Sequence, residues 1–183
     1  IDLGMGAEVE DAGFLDQGRN LLLLAVLTSP HHGTAVVARA LLEIDLEGRV
    51  LLDTIPLDRS GITHGFALDP YSRRIFILED HGAGTGRVQV VDLYRGRRLG
   101  HVEVGRVPGL VGRKGLVVDR NLRHVFCLTG GESFRSDFEP IGPETTQGPT
   151  VVVLEPDSLE TVARIPLDQD YEPLALAHDA DRD

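Results

Sequence analysis

One sentence of sequence, repeated along the chain, limits what it can fold into. Gly65-Phe66-Ala67-Leu68-Asp69-Pro70-Tyr71-Ser72-Arg73-Arg74-Ile75-Phe76-Ile77-Leu78 reads as a short apolar run, a polar turn and a second apolar run returning beside the first. It recurs as Gly115-Leu116-Val117-Val118-Asp119-Arg120-Asn121-Leu122-Arg123-His124-Val125-Phe126-Cys127-Leu128, whose glycine lies 50 residues after Gly65. A looser copy stretches from Gly13-Phe14-Leu15-Asp16 to Asn20-Leu21-Leu22-Leu23-Leu24. Each copy opens a unit of four apolar segments. They are Gly13–Leu15, Leu21–Leu27, Ala40–Leu46 and Val50–Leu57 in the first, and Phe66–Leu68, Ile75–Leu78, Val88–Leu93 and Leu99–Val104 in the second. The third has Leu116–Val118, Val125–Leu128, Val151–Leu154 and Thr161–Leu167. All are short and bounded by Gly, Asp, Asn or Pro, which is the signature of strands and turns.

Four-stranded units at this spacing predict an all-β fold, a β-propeller of antiparallel blades. The second segments support it independently. They are apolar without alternation, so both faces of the sheet must be covered, as they are when a blade is sandwiched between neighbours. Segments three and four are joined by a repeated hairpin (Ile44 to Val50, Val91 to Arg97, Leu154 to Glu160), with an acidic residue closing the strand and then Gly where a positive φ helps, or Pro-Asp-Ser in the third copy. Pro56 and Pro166 lie in the fourth segments, where an outer edge tolerates a missing ladder donor.

The expected organisation is a lead-in over 1–11 and blades over 12–60, 61–110 and 111–172, the last with a long insertion over 129–149. Residues 173–183 start a further blade. Closed propellers take typically about four to eight blades, so the chain reads as part of a longer propeller, its remaining blades supplied by the rest of a chain or by other copies. Alone, its strand edges invite association.

The repeats resemble the YVTN/NHL-type repeat propellers, which include seven-bladed lactonase-like and surface-layer-like proteins. The resemblance rests on Gly65-Phe66-Ala67-Leu68-Asp69-Pro70 with Ile75-Phe76-Ile77, and on Val88-Gln89-Val90-Val91-Asp92-Leu93. The tetrapeptide that names the family is replaced by Arg74-Ile75-Phe76-Ile77 and His124-Val125-Phe126-Cys127, and the Trp-Asp of WD40 blades is absent. The resemblance implies the fold and a periplasmic or secreted location. It leaves activity open, because this superfold hosts many functions.

Strand alternation sorts the loops. The two-to-three loops and the links between blades share one end, and the three-to-four hairpins and one-to-two turns share the other. Polar, loop-borne residues collect at the first end, where recognition is usual. His64, Lys114 and Glu172 stand one step before successive inner strands, with Arg113 beside them, and form a candidate ligand-binding ring at the channel mouth. His31 and His32 in one loop and Asp80 and His81 in the next have the chemistry of a metal site but no tight ligand spacing. No resident cofactor is expected, and a metal ion is the one candidate. Calcium-dependent lactonase-like propellers use acidic and Asn ligands at the mouth, whereas Asn20 and Asn121 fall at the opposite end. Gly82-Ala83-Gly84-Thr85-Gly86 lacks the following helix of a phosphate loop. Gly130 to Pro140, with Phe134 and Phe138, is either a docking segment or a loop packed on its own blade.

A net charge of -11 argues against nucleic acid and anionic membranes, because counterion displacement needs a cationic face. Leu21–Leu27, the longest apolar run, is far shorter than the roughly 20 residues of a membrane span. Cys127 is the single cysteine, which excludes an internal disulfide and a cysteine-based metal cluster; its apolar surroundings predict a buried thiol. No Gly-x-Ser-x-Gly elbow, haem attachment motif or paired-carboxylate helix occurs. The residues therefore favour a non-catalytic scaffold binding a protein partner or small molecule. A lactonase-like hydrolase or a quinoprotein-like redox partner is the alternative.

Overall fold

The computed structural model describes residues 7–9, 14–16, 21–28, 38–58, 61–69, 71–82, 85–107, 115–119, 123–130, 148–168 and 176, with backbone only up to residue 38. Among them are thirteen strands and no helix. β1 (Ala7–Val9), β2 (Phe14–Asp16), β3 (Leu21–Thr28), β4 (Ala38–Asp45) and β5 (Val50–Pro56) form the first sheet. β6 (Ile62–Asp69), β7 (Arg74–Asp80), β8 (Gly86–Asp92) and β9 (Arg97–Gly105) form the second. β10 (Leu116–Asp119), β11 (His124–Thr129), β12 (Thr150–Leu154) and β13 (Thr161–Pro166) form the third. The second and third sheets are antiparallel meanders in chain order, and the first follows the same order from β3 to β5; each is a propeller blade. The twelve expected segments all fall on strands.

One element was not expected. Ala7–Val9, in the lead-in, pairs with Val26–Thr28 at the far end of β3, while β2 pairs with Leu21–Leu23. The inner strand of the first blade is thus assembled from two short pieces. The start of a further blade at 173–183 lies outside the described residues except for Leu176.

The reason for the missing alternation is visible in β7. Ile75 and Ile77 pack with Leu41, Ile55 and Leu57 of the first blade, while Phe76 and Leu78 pack with Leu116, Val125, Cys127, Val152 and Leu154 of the third. All four β7 side chains are buried. Burial pushes the Cys127 thiol far above its ordinary range, only partly opposed by Arg164. The outer strands β5, β9 and β13 are largely exposed, and Pro56 and Pro166 end two of them.

Five turns share one geometry. In four of them the acidic residue that opens the turn accepts backbone N–H bonds: Asp45 Oδ1 from Glu47 (2.9 Å), Asp69 Oδ1 from Tyr71 (3.0 Å), Asp92 Oδ1 from Arg95 (3.1 Å) and Glu155 Oε2 from Asp157 (2.9 Å) and Ser158. The residue four places after the acid, Asp119 included, takes a positive φ: Arg49, Arg73, Gly96, Arg123 and Leu159. In the first hairpin the left-handed position is therefore Arg49, one place beyond the glycine expected to hold it. Exposed Arg49 bears a steric cost of roughly 1 kcal/mol that glycine avoids.

Two outcomes follow from these turns. Arg49→Gly should raise the melting temperature by about 2–4 °C, the shift that about 1 kcal/mol gives a domain of this size, measured by differential scanning calorimetry. The N–H donors of Ser158 and Asp157 hold the Glu155 carboxyl below its ordinary value of 4.5. A depressed folded value stabilises above the unfolded one and is lost as pH falls through the folded one. The melting-temperature gap between wild type and Glu155→Gln should be full above about pH 5 and shrink in more acidic buffer; a gap constant with pH would remove the carboxylate's role.

Candidate functional site

The end of the molecule that carries the links and two-to-three loops holds a buried polar cluster on the seam between the first two blades. Arg39 enters near the start of β4, Thr63 near the start of β6 and Glu79 near the end of β7. In β7, odd-numbered residues face the first blade, so Glu79 is aimed at Arg39 by the same alternation that buries Ile75 and Ile77. Arg39 Nη1 donates to Glu79 Oε1 at 3.1 Å and to the Asp58 carbonyl in the link, and Nη2 donates to Thr63 Oγ1 at 2.8 Å. Glu79 Oε2 lies 3.2 Å from His81 Nε2. The Arg39 and Glu79 side chains are 0% and 2% exposed, so their charges are offset by each other and by the surrounding donors and acceptors.

His64 stands beside this cluster, buried at 6% exposure. The strand starts at Ile62, four residues before the expected segment Phe66–Leu68, so His64 lies inside β6 and not before it. It is the extra residue of a β-bulge: Thr63 pairs with Glu79 and Gly65 with Leu78, leaving His64 without an opposite number. Bulges of this kind re-aim a side chain and gather near binding sites. Lys114, Arg113 and Glu172, the other members of the expected ring, lie outside the described residues, as do His31 and His32.

Asp80 and His81, neighbours in sequence, are put to different uses. The Asp80 carboxylate accepts the Gly82 N–H at 2.7 Å, whereas the His81 ring turns inward to Glu79. Among the described residues no group of three or more His, Cys, Asp and Glu gathers to hold a metal. The glycine-rich loop is a closed turn at its described ends. His81 N–H donates to the Thr85 carbonyl and Thr85 N–H to the Gly82 carbonyl, each at 2.9 Å. Those amides are spent on the turn and cannot cradle a phosphate. Gly86 serves packing, since a Cβ there would overlap the Gly105 carbonyl and Val107.

Sequence reading selected His64, His81 and this end of the molecule, and missed Arg39, Thr63 and Glu79. The available signal was an acidic residue directly after the buried run Ile75–Leu78, where the strand continues into the interface.

No family model matches the chain, and no curated protein matches it. Among solved structures it is similar to hydrazine synthase of Kuenenia stuttgartiensis, at 12% identity and a TM-score of 0.55, over 86% of this chain and 54% of that one. The Dos1 propeller matches at 10% identity and TM-score 0.49, over 88% of this chain and 34% of that one. An acylaminoacyl peptidase of Pyrococcus horikoshii matches at 12% and 0.47, over 80% and 23%. The chain spans about half the length of the hydrazine synthase chain. At these identities the likeness concerns the fold alone, a β-propeller.

The buried pair makes a quantitative expectation. Arg39→Ala or Glu79→Ala, by stranding the other charge, should each cost about 3–5 kcal/mol of stability. The double change Arg39→Ala/Glu79→Ala should cost clearly less than the two single changes added together. Urea denaturation of the four proteins measures the coupling, and additive losses would mean the pair is not coupled.

Proposed function

We propose that the chain is a non-catalytic binding scaffold, a section of a YVTN/NHL-type propeller, whose recognition surface is the end bearing the links and two-to-three loops. The observation that carries this reading is the buried, bulge-displaced His64 at the start of an inner strand, backed by the Arg39–Glu79–Thr63–His81 cluster. A buried polar network fixes the strand ends around His64 and so holds its position before any ligand arrives, which lowers the ordering cost of binding. With Arg113 and Lys114 in the neighbouring link, the mouth is suited to an anionic small molecule or an acidic group on a protein partner, with Glu172 as a hydrogen-bond acceptor.

Titration calorimetry of the intact chain with phosphate, citrate and short dicarboxylates tests this. Saturable binding weakened about tenfold or more, roughly 1.4 kcal/mol, by His64→Ala or by Lys114→Ala is the expected result, with far-UV circular dichroism unchanged. Affinity indifferent to both substitutions would reject the site. Esters and lactones should pass unhydrolysed, with or without added divalent metal. Turnover that disappears in His64→Ala would establish an enzyme instead.

A further inference from the structure

At the opposite end, on the outer rim between the second and third blades, is a groove of about 390 Å³. One wall is the middle of β9, the other the hairpin Pro156–Leu159 of the third blade, and Val90 lies between them. The groove has a local cause. β9 carries a bulge, with Val90 opposite Gly100 and Val91 opposite Arg98, so Leu99 is the extra residue and is turned outward. Gly100 then faces the third blade with no side chain, and the nearest atom to a Cβ built there is Leu159 Cδ1 at 3.9 Å. The equivalent residues of the other blades are Asp53 and Ala163. The space over Gly100 is thus open to an apolar group, with Val102 and Leu159 beside it. At one end Arg74, a quarter exposed, donates to the Pro156 carbonyl at 3.2 Å and pairs with Asp157.

The β9 wall has a charge opposite to that of the chain, while the facing hairpin carries Glu155, Asp157 and Glu160, of which Asp157 is paired with Arg74. From Tyr94 to Glu103 there are three arginines and one acid, in a protein of net charge -11. Arg95 is 3.8 Å from Asp92, but Arg97 and Arg98 are exposed and form no ion pair among the described residues. The outer edge of β9 has no ladder partner among the described residues either. An unpaired strand edge, an apolar socket and two uncompensated guanidinium groups on one strand match what an extended acidic peptide offers, namely main-chain hydrogen bonds, alternate apolar side chains and carboxylates.

We propose that this rim docks an extended acidic segment of a partner protein, seating one apolar side chain over Gly100 and carboxylates on Arg97 and Arg98. The site is separate from the His64 end and does not depend on it. The competing account is that Arg97 and Arg98 only guard the edge against pairing. That account expects no peptide to bind.

A fluorescein-labelled heptapeptide alternating glutamate and valine, titrated with the intact chain and read by fluorescence anisotropy, separates the two. The expected result is saturable binding that weakens with added salt. It should drop about tenfold or more in Gly100→Leu, which fills the socket without changing charge, and similarly in Arg97→Glu/Arg98→Glu. A lysine–valine heptapeptide should not bind. Circular dichroism checks that the variants fold; were Gly100→Leu to fail, the charge reversal alone decides. No saturable binding by wild type, or unchanged affinity in a folded variant, would overturn the proposal. So would equal binding of the lysine peptide, or displacement by hexanoate at the peptide's own concentration, which would mark a small-carboxylate site.

Discussion

The structure depends on strands that are buried on both faces. β7 gives alternate side chains to two different cores, Ile75 and Ile77 to one and Phe76 and Leu78 to the other. Each such side chain contributes about 1.5–3 kcal/mol relative to exposure, an upper estimate because unfolded chains already bury some of this area. A lone four-stranded blade would leave both sets in water. Blades are therefore stable as neighbours, and the stacking itself supplies the hydrophobic driving force.

Apolar contact between flat sheets fixes their separation better than their relative slide. Polar contacts at both ends of the seams supply what is missing. At the link end, Arg39 ties β4 to β7 and to the strand start at Thr63. At the hairpin end, Arg73 approaches Glu43 to 3.9 Å across the same seam, and Arg74 reaches Pro156 and Asp157 across the next. Arg164 adds a bond of 3.3 Å from the third blade to the Val104 carbonyl of the second. The buried pair is worth most, because a slide of one residue would leave two unpaired charges in a dry interface, whereas the exposed contacts lose little.

Much of this architecture was legible in the chain. Every expected segment proved to be a strand, since Ile75–Leu78 and Val125–Leu128 signal burial on both faces and acid-initiated turns separate them. The long-range pairings were not legible. Arg39 and Glu79 are 40 residues apart and belong to different blades; read singly, each resembles a solvated charge at a strand end. The bulge at His64 also leaves no mark in composition, because it arises when β6 and β7 differ by one residue between two fixed pairings. Ala7–Val9 escaped notice because three residues are too few to show a period. The left-handed residue at Arg49 ran against the plain expectation that glycine takes such a position; it is set by distance from the turn's acid.

The same bulge logic governs the outer rim. In all three blades the outer strand gains a residue at the equivalent place, Leu52, Leu99 or Val162, and in each the extra residue is apolar and well exposed. A bulge increases local twist and spoils the flat edge that edge-to-edge pairing requires, so these residues stay outward without turning the rim into a general template. What differs is the neighbourhood. In β5 the bulge follows Val50 and Leu51 and precedes Asp53, which fills the space near Gly96 of the adjoining hairpin. In β9 it stands between Arg98 and Gly100, and the missing side chain leaves the seam open. A shared backbone device therefore has a local consequence set by one residue, which separates a closed seam from a socketed one.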